Sequence, residues 1–204
     1  MSEAIRNAFR TQAAGCRAMN SPLTADVLDS LAEILDHNSR TGARILDWPG
    51  EPMADALKLR IAGGLHALAR SGQDPELTAL YETGAGDFNA VLKRVLNEWD
   101  DWLYPWLDSP PQTNEVGRSA ALMAGLMVAA KRLAMPIELL ELGSSAGLDL
   151  NLDRFHYNLG GLEAGLADAA VRIAPEWKGN SPDGKWPQIV ARGGVDQNPL
   201  DVRD

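Results

Sequence analysis

The sequence predicts an α/β chain, mostly helical over residues 1–111 and turning to β structure within 112–204. Three observations predict it. Apolar residues recur at three- and four-residue spacing as far as Leu133, the signature of amphipathic helices. The stretch Asp108-Ser109-Pro110-Pro111 is the clearest break in the chain, because two consecutive prolines end any helix that reaches them. After it, Ile137 to Leu142 is a short apolar run that ends in a turn of small residues, the mark of a strand entering a loop.

Each element follows in order. Ile5, Phe9, Ala13 and Cys16 share one helical face, and Asn20-Ser21-Pro22 breaks the pattern. Ser21 as N-cap and Pro22 at the first helical position start a second helix with Leu23, Val27, Leu31 and Ile34 on one side. Residues 42 to 52 read as a loop. A third helix turns Leu57, Ile61, Leu65 and Leu68 inward and ends at Ser71-Gly72. Asp74-Pro75 caps a short helix. Gly84-Ala85-Gly86-Asp87 then turns into a fourth long helix carrying Phe88, Val91, Leu92, Val95, Trp99 and Leu103. Trp99, Trp102 and Trp106, at helical spacing, read as packing residues.

Val116 to Leu133 is rich in Ala, Gly, Leu and Met with almost no polar face, which predicts a helix buried all round. Residues 137–142 are the predicted strand and 146–155 a following helix, with further strand candidates at 170–174 and 188–191. Such a strand, turn and helix open a Rossmann-like, methyltransferase-type sheet. The later strands of a doubly wound sheet are not supplied by residue 204, so the sequence predicts a sheet incomplete at its C-terminus, part of a longer domain.

Composition excludes several classes of function. With a net charge of −9 and no cluster of Lys or Arg, the chain lacks the basic footprint of a nucleic-acid binder. A single cysteine, Cys16, cannot build an intrachain disulfide framework and fits a reducing compartment. No signal-peptide pattern and no apolar stretch of about 18 residues is visible, so a cytoplasmic protein without a membrane partner is expected. His37, His66 and His156 fall in no metal-ligand spacing.

The chemistry concentrates at Glu141-Leu142-Gly143-Ser144-Ser145-Ala146-Gly147. An acidic residue ends the strand, and glycines let the backbone curve tightly and approach a ligand. The spacing is closest to the first motif of S-adenosylmethionine-dependent methyltransferases. Glu141 would hold the cofactor's polar tail, and Gly143, Ser145 and Gly147 would form the turn, provided Ser145 keeps an ordinary backbone. Asp196 ends a second β-like run, where an acidic side chain accepts bonds from ribose hydroxyls; the alternative is a turn or N-cap aspartate. Ahead of the apolar helix, Gln112, Asn114, Glu115 and Arg118 are dense enough in polar groups to line a cleft. Thr113 or Asn114 would cap that helix.

Two function classes stay open: a methyltransferase-like enzyme using S-adenosylmethionine with an unassigned small-molecule acceptor, and a non-catalytic Rossmann-like module that binds a protein partner or forms a homo-oligomer. A nicotinamide-dependent enzyme fits less well, because the glycines do not follow Gly-x-Gly-x-x-Gly.

The segments 112–118 and 139–150, with Phe9-Arg10-x-Gln12, Ser21-Pro22-Leu23, Leu65-His66-x-Leu68 and 194–201, resemble the bacterial DUF2332 family, a group of uncharacterised proteins. The resemblance runs over nearly the whole chain. It implies a helical N-terminal region joined to a methyltransferase-like α/β domain that continues past residue 204.

Overall fold

The computed structural model describes residues 2–111 and 114–201. It divides into two compact units, Met1–Pro111 and Gln112–Asp204, each with its own apolar core. Helices in the first unit and helix plus strands in the second make the chain α/β.

The first unit contains α1 (Ser2–Ala18), α2 (Pro22–Ile34), α3 (Arg40–Leu46), α4 (Leu57–Ser71), α5 (Pro75–Thr83), α6 (Phe88–Glu98) and α7 (Asp100–Leu103), closed by a 3-10 turn at Tyr104–Leu107. The inward residues predicted for α1 and α4 are all buried, as are Val27 and Leu31 of α2. Each Ile, Leu, Val or Phe among them contributes roughly 1.5–3 kcal/mol when fully buried. Gly72, in left-handed backbone at φ 69°, ends α4. The Asp74 carboxylate accepts the Leu77 N–H at 2.8 Å and starts α5.

Three expectations are corrected here. The region read as a loop from residue 42 begins instead inside α3, which buries Ile45 and Leu46. Gly42 suggested a loop, but a Cβ there would lie 2.3 Å from the Asp36 carbonyl oxygen, so this glycine is a packing requirement within a helix. Ser21 occupies the N-cap position of α2 without a side-chain cap bond; its hydroxyl donates to Thr24 Oγ1 at 3.0 Å. The long helix expected through Leu103 breaks at Trp99 (φ −109°, ψ 25°). There the indole Nε1 donates to Asp74 at 2.8 Å, and the Asp100 carboxylate turns to accept the Thr41 N–H at 2.8 Å. Trp106 lies against Gly63 and Gly64.

The second unit opens with a 3-10 turn (Val116–Arg118) and α8 (Ser119–Leu133), followed by β1 (Ile137–Leu142). A 3-10 segment (Asp149–Arg154) then leads to β2 (His156–Leu159), β3 (Leu162–Gly165), β4 (Arg172–Ile173) and β5 (Ile189–Val195). Strands β1 and β5 pair in parallel, with Glu141 opposite Gly194. A separate small sheet has the order β3-β2-β4. Its β2–β3 hairpin turns through Gly160 and Gly161, both at positive φ, as a two-residue hairpin loop requires.

The helix expected over 146–155 is not α-helical. The Asn151 side chain takes the Gly147 carbonyl at 3.2 Å, while its N–H bonds back three residues to Leu148. Arg192 of β5 holds Asp153 through two 3.0 Å bonds and the Leu150 carbonyl at 2.9 Å. These contacts keep the segment tightly wound against the strand. The all-round burial expected of α8 also fails. Ala120, Met123, Met127 and Ala130 are covered, whereas Leu122 is 45% exposed. Likewise β1 tucks Leu139 and Glu141 to one face and leaves Leu140 and Leu142 exposed on the other.

Candidate functional site

The turn after β1 brings together five of the residues singled out from the sequence. Gly143 and Ser144 donate their N–H groups to the Val195 carbonyl at 2.8 and 3.2 Å, folding the turn over the end of β5. Gly143, Ser145 and Gly147 have φ of 73°, 51° and 68°. The ordinary backbone expected of Ser145 is therefore not found: it sits in the left-handed region, which costs a residue with a Cβ roughly 1–2 kcal/mol. Asp196 helps hold it there. One carboxylate oxygen accepts the Ser145 N–H at 2.8 Å and the other accepts the Asn198 N–H at 2.8 Å. These backbone donors, Asn198 foremost and then Ser145, keep the Asp196 carboxyl below the usual carboxylate range. The turn-aspartate geometry is thus present, with both carboxylate oxygens engaged by backbone N–H groups of the chain itself.

Close approach explains a further glycine. A Cβ on Gly194 would lie 2.5 Å from Ser144 Oγ, so β5 passes directly under the turn. At Gly143 an added Cβ would meet nothing within 4 Å, and a 540 Å³ concavity is lined there by Gly143, Val195, Asp196 and Gln197.

Asn114 joins the site from the segment before α8. Its Nδ2 donates to Glu141 Oε1 at 3.0 Å and to the Ser144 carbonyl at 3.1 Å. The other two polar atoms of the pair, Glu141 Oε2 and Asn114 Oδ1, are buried without a hydrogen-bond donor among the described residues. Buried acceptors are nearly always partnered in folded proteins. Glu141 also lines a 580 Å³ cavity with residues of α8, β1 and the 3-10 segment, including Arg118 and Asp149.

The remaining polar residues before α8 divide. Glu115 accepts the Gly117 N–H at 2.7 Å and caps the 3-10 turn, the role expected of Thr113 or Asn114. Arg118 carries its guanidinium Nε 4.0 Å from Asp149 Oδ2. Gln112 and Thr113 lie outside the described residues.

Asp149 was not singled out from the sequence. It is 2% exposed, and neither carboxylate oxygen has a hydrogen-bond donor among the described residues. Burial pushes its carboxyl above the usual range, against the pull of Arg118. The available signal was a charge flanked by Leu148 and Leu150.

Taken together the site offers acceptor oxygens, positive-φ backbone at a strand end and an apolar wall. Such a set suits a small molecule that brings N–H groups or positive charge. No group of three His, Cys, Asp or Glu side chains among the described residues is arranged to hold a metal ion.

The profile of a bacterial family described as "Uncharacterized protein conserved in bacteria (DUF2332)" matches residues 6–204. The chain belongs to that family. Comparison with curated proteins and with solved structures gives no match.

Proposed function

We propose that the second unit binds S-adenosylmethionine at the 141–147 turn and serves methyl transfer to a small molecule. One observation carries the reading: Glu141 Oε2 and Asn114 Oδ1 are buried acceptors without a donor among the described residues, beside a turn whose glycines have positive φ. The amino-acid end of this cofactor carries an ammonium group, and its sulfonium adds a second positive charge. A carboxylate and an amide oxygen complement the first. Gly143 has room in front of it for a ligand. Asp196 fixes the turn through backbone donors at its end of β5. Methyl transfer depends chiefly on holding acceptor and donor in line, so strong acids and bases are not demanded of the chain.

Calorimetric titration of S-adenosylmethionine, and of its demethylated product, tests the reading. Micromolar binding that is lost in Gly143→Trp and weakened at least about tenfold (1.4 kcal/mol) in Glu141→Gln supports it. Absence of heat from folded, monodisperse protein refutes it.

A second reading, a non-catalytic module that self-associates, is favoured by the exposed apolar residues of the parallel strand pair. Leu140 and Leu142 are 75% and 78% exposed, and Val190 and Val195 are 54% and 56% exposed. Exposed apolar surface of this kind marks interaction sites. A concentration-dependent dimer abolished by Leu140→Asp, together with no cofactor heat, would favour this module.

A further inference from the structure

We propose that the 580 Å³ cavity beside α8 and β1 binds a second small molecule, with an apolar body and a protonated amine, and that Asp149 receives the amine. The inference goes beyond the cofactor reading and turns on Asp149, a residue that reading does not use, although Glu141 lines this cavity as well. Ala121, Leu122, Gly125 and Leu126 of α8 and Leu139 of β1 give the cavity its apolar lining, and Asp149 lines it too. The volume lies within the range of small-molecule sites, roughly 300–1,000 Å³.

The charge on the ligand follows from Asp149. Its carboxylate is almost wholly removed from water, at 2% exposed, and both oxygens lack a hydrogen-bond donor among the described residues. A buried carboxylate is expensive unless it is paired and hydrogen-bonded. Arg118 stands 4.0 Å away with its side chain 54% exposed, too far for a hydrogen bond and largely solvated. An ammonium group fits what remains, since it brings both positive charge and several N–H donors. Glu141 on the same wall adds a further negative charge, so the cavity disfavours a carboxylate ligand despite Arg118.

The probe is phenylbutylamine, with phenylbutanol and phenylbutyrate as controls of the same apolar body. Each is titrated into the full chain and read by methyl NMR of Ala121, Leu122 and Leu126. The expected result is saturable shifts from the amine at least about tenfold tighter than from the alcohol or the acid, with the preference lost in Asp149→Asn. Gly125→Phe provides the second arm. An added Cβ at Gly125 meets nothing within 4 Å, so this variant should fold and should block the amine by filling the cavity. Equal binding of the three probes, preference for the acid, no shifts, or unchanged amine binding in either variant overturns the proposal. S-adenosylmethionine, titrated separately, reports only on the cofactor reading, so the two can fail independently.

Discussion

Asp74→Asn and Asp149→Asn remove the same charge from two aspartates of similar burial, 4% and 2% exposed, and should move stability in opposite directions. Asp74 is fully partnered. It accepts two bonds from Arg94 at 2.8 and 2.9 Å, one from Trp99 Nε1 at 2.8 Å and one from the Leu77 N–H at 2.8 Å. Asparagine keeps one acceptor oxygen and turns an N–H₂ group towards donors. Breaking a buried charge pair costs about 3–5 kcal/mol. Arg94 is 30% exposed and retains Glu76 and Glu98, so about 2–3 kcal/mol is expected here. Asp149 has the opposite environment, and asparagine mimics its protonated form. At neutral pH that substitution removes a charge that burial disfavours, so a net gain in stability is expected.

The pH dependence gives an independent check. Hydrogen bonding to Arg94, first among its causes, lowers the Asp74 carboxyl from its ordinary 3.8. Its contribution is therefore present above pH 3.8 and lost as pH falls through the lower folded value. Burial raises the Asp149 carboxyl above 3.8, so wild-type stability is lost as pH rises from 3.8 through the higher folded value. Both differences from wild type should shrink on acidification. Residue-resolved native-state hydrogen exchange reads the two units separately, from amides of α4 and α6 for Asp74 and of β1 and β2 for Asp149. A destabilised Asp149→Asn at neutral pH, or a loss below about 1 kcal/mol in Asp74→Asn, would refute the reasoning.

Adjacent glycines of α4 should also part company. Gly63→Ala meets Trp106 at an ordinary 3.7 Å and should stabilise by up to about 1 kcal/mol through helix propensity. Gly64→Ala places its Cβ 2.8 Å from Trp106 Cγ and should destabilise, since overpacking costs about 1–3 kcal/mol; paired thermal melts decide. Tyr157→Phe removes the hydroxyl that donates to the Leu152 carbonyl at 2.7 Å and lies 3.1 Å from Ser119 Oγ. A loss of about 1–2 kcal/mol is expected by denaturant titration. Asp196→Asn replaces one acceptor with a donor facing either the Ser145 or the Asn198 N–H, and should speed hydrogen exchange of the Ser145 amide relative to β5. Unchanged exchange there would show that the turn holds its shape without this aspartate.

Much of the helical unit was legible because its signals are local. The 3.6-residue period of Ile5, Phe9 and Ala13 and of Leu57, Ile61 and Leu65 places one face inward whatever that face meets. Asp74-Pro75 starts α5 by a bond within four residues. The errors fall where a distant residue intervenes. Gly42 looks like a loop residue until the Asp36 carbonyl is placed against it. The segment from Asp149 looks helical until Arg192 and the Asn151 side chain hold it.

The same division runs through the candidate site. Its strand, its glycines and Glu141 were apparent from residue type and spacing alone, because a strand ending in a tight turn has a local requirement for residues that tolerate positive φ. That Asn114 would reach Glu141, that Asp196 would clasp Ser145 across 51 positions and that Asp149 would be buried beside a cavity were decided by tertiary packing. Burial and hydrogen-bond partners belong to the assembled surroundings of a side chain, and sequence distance carries no record of them.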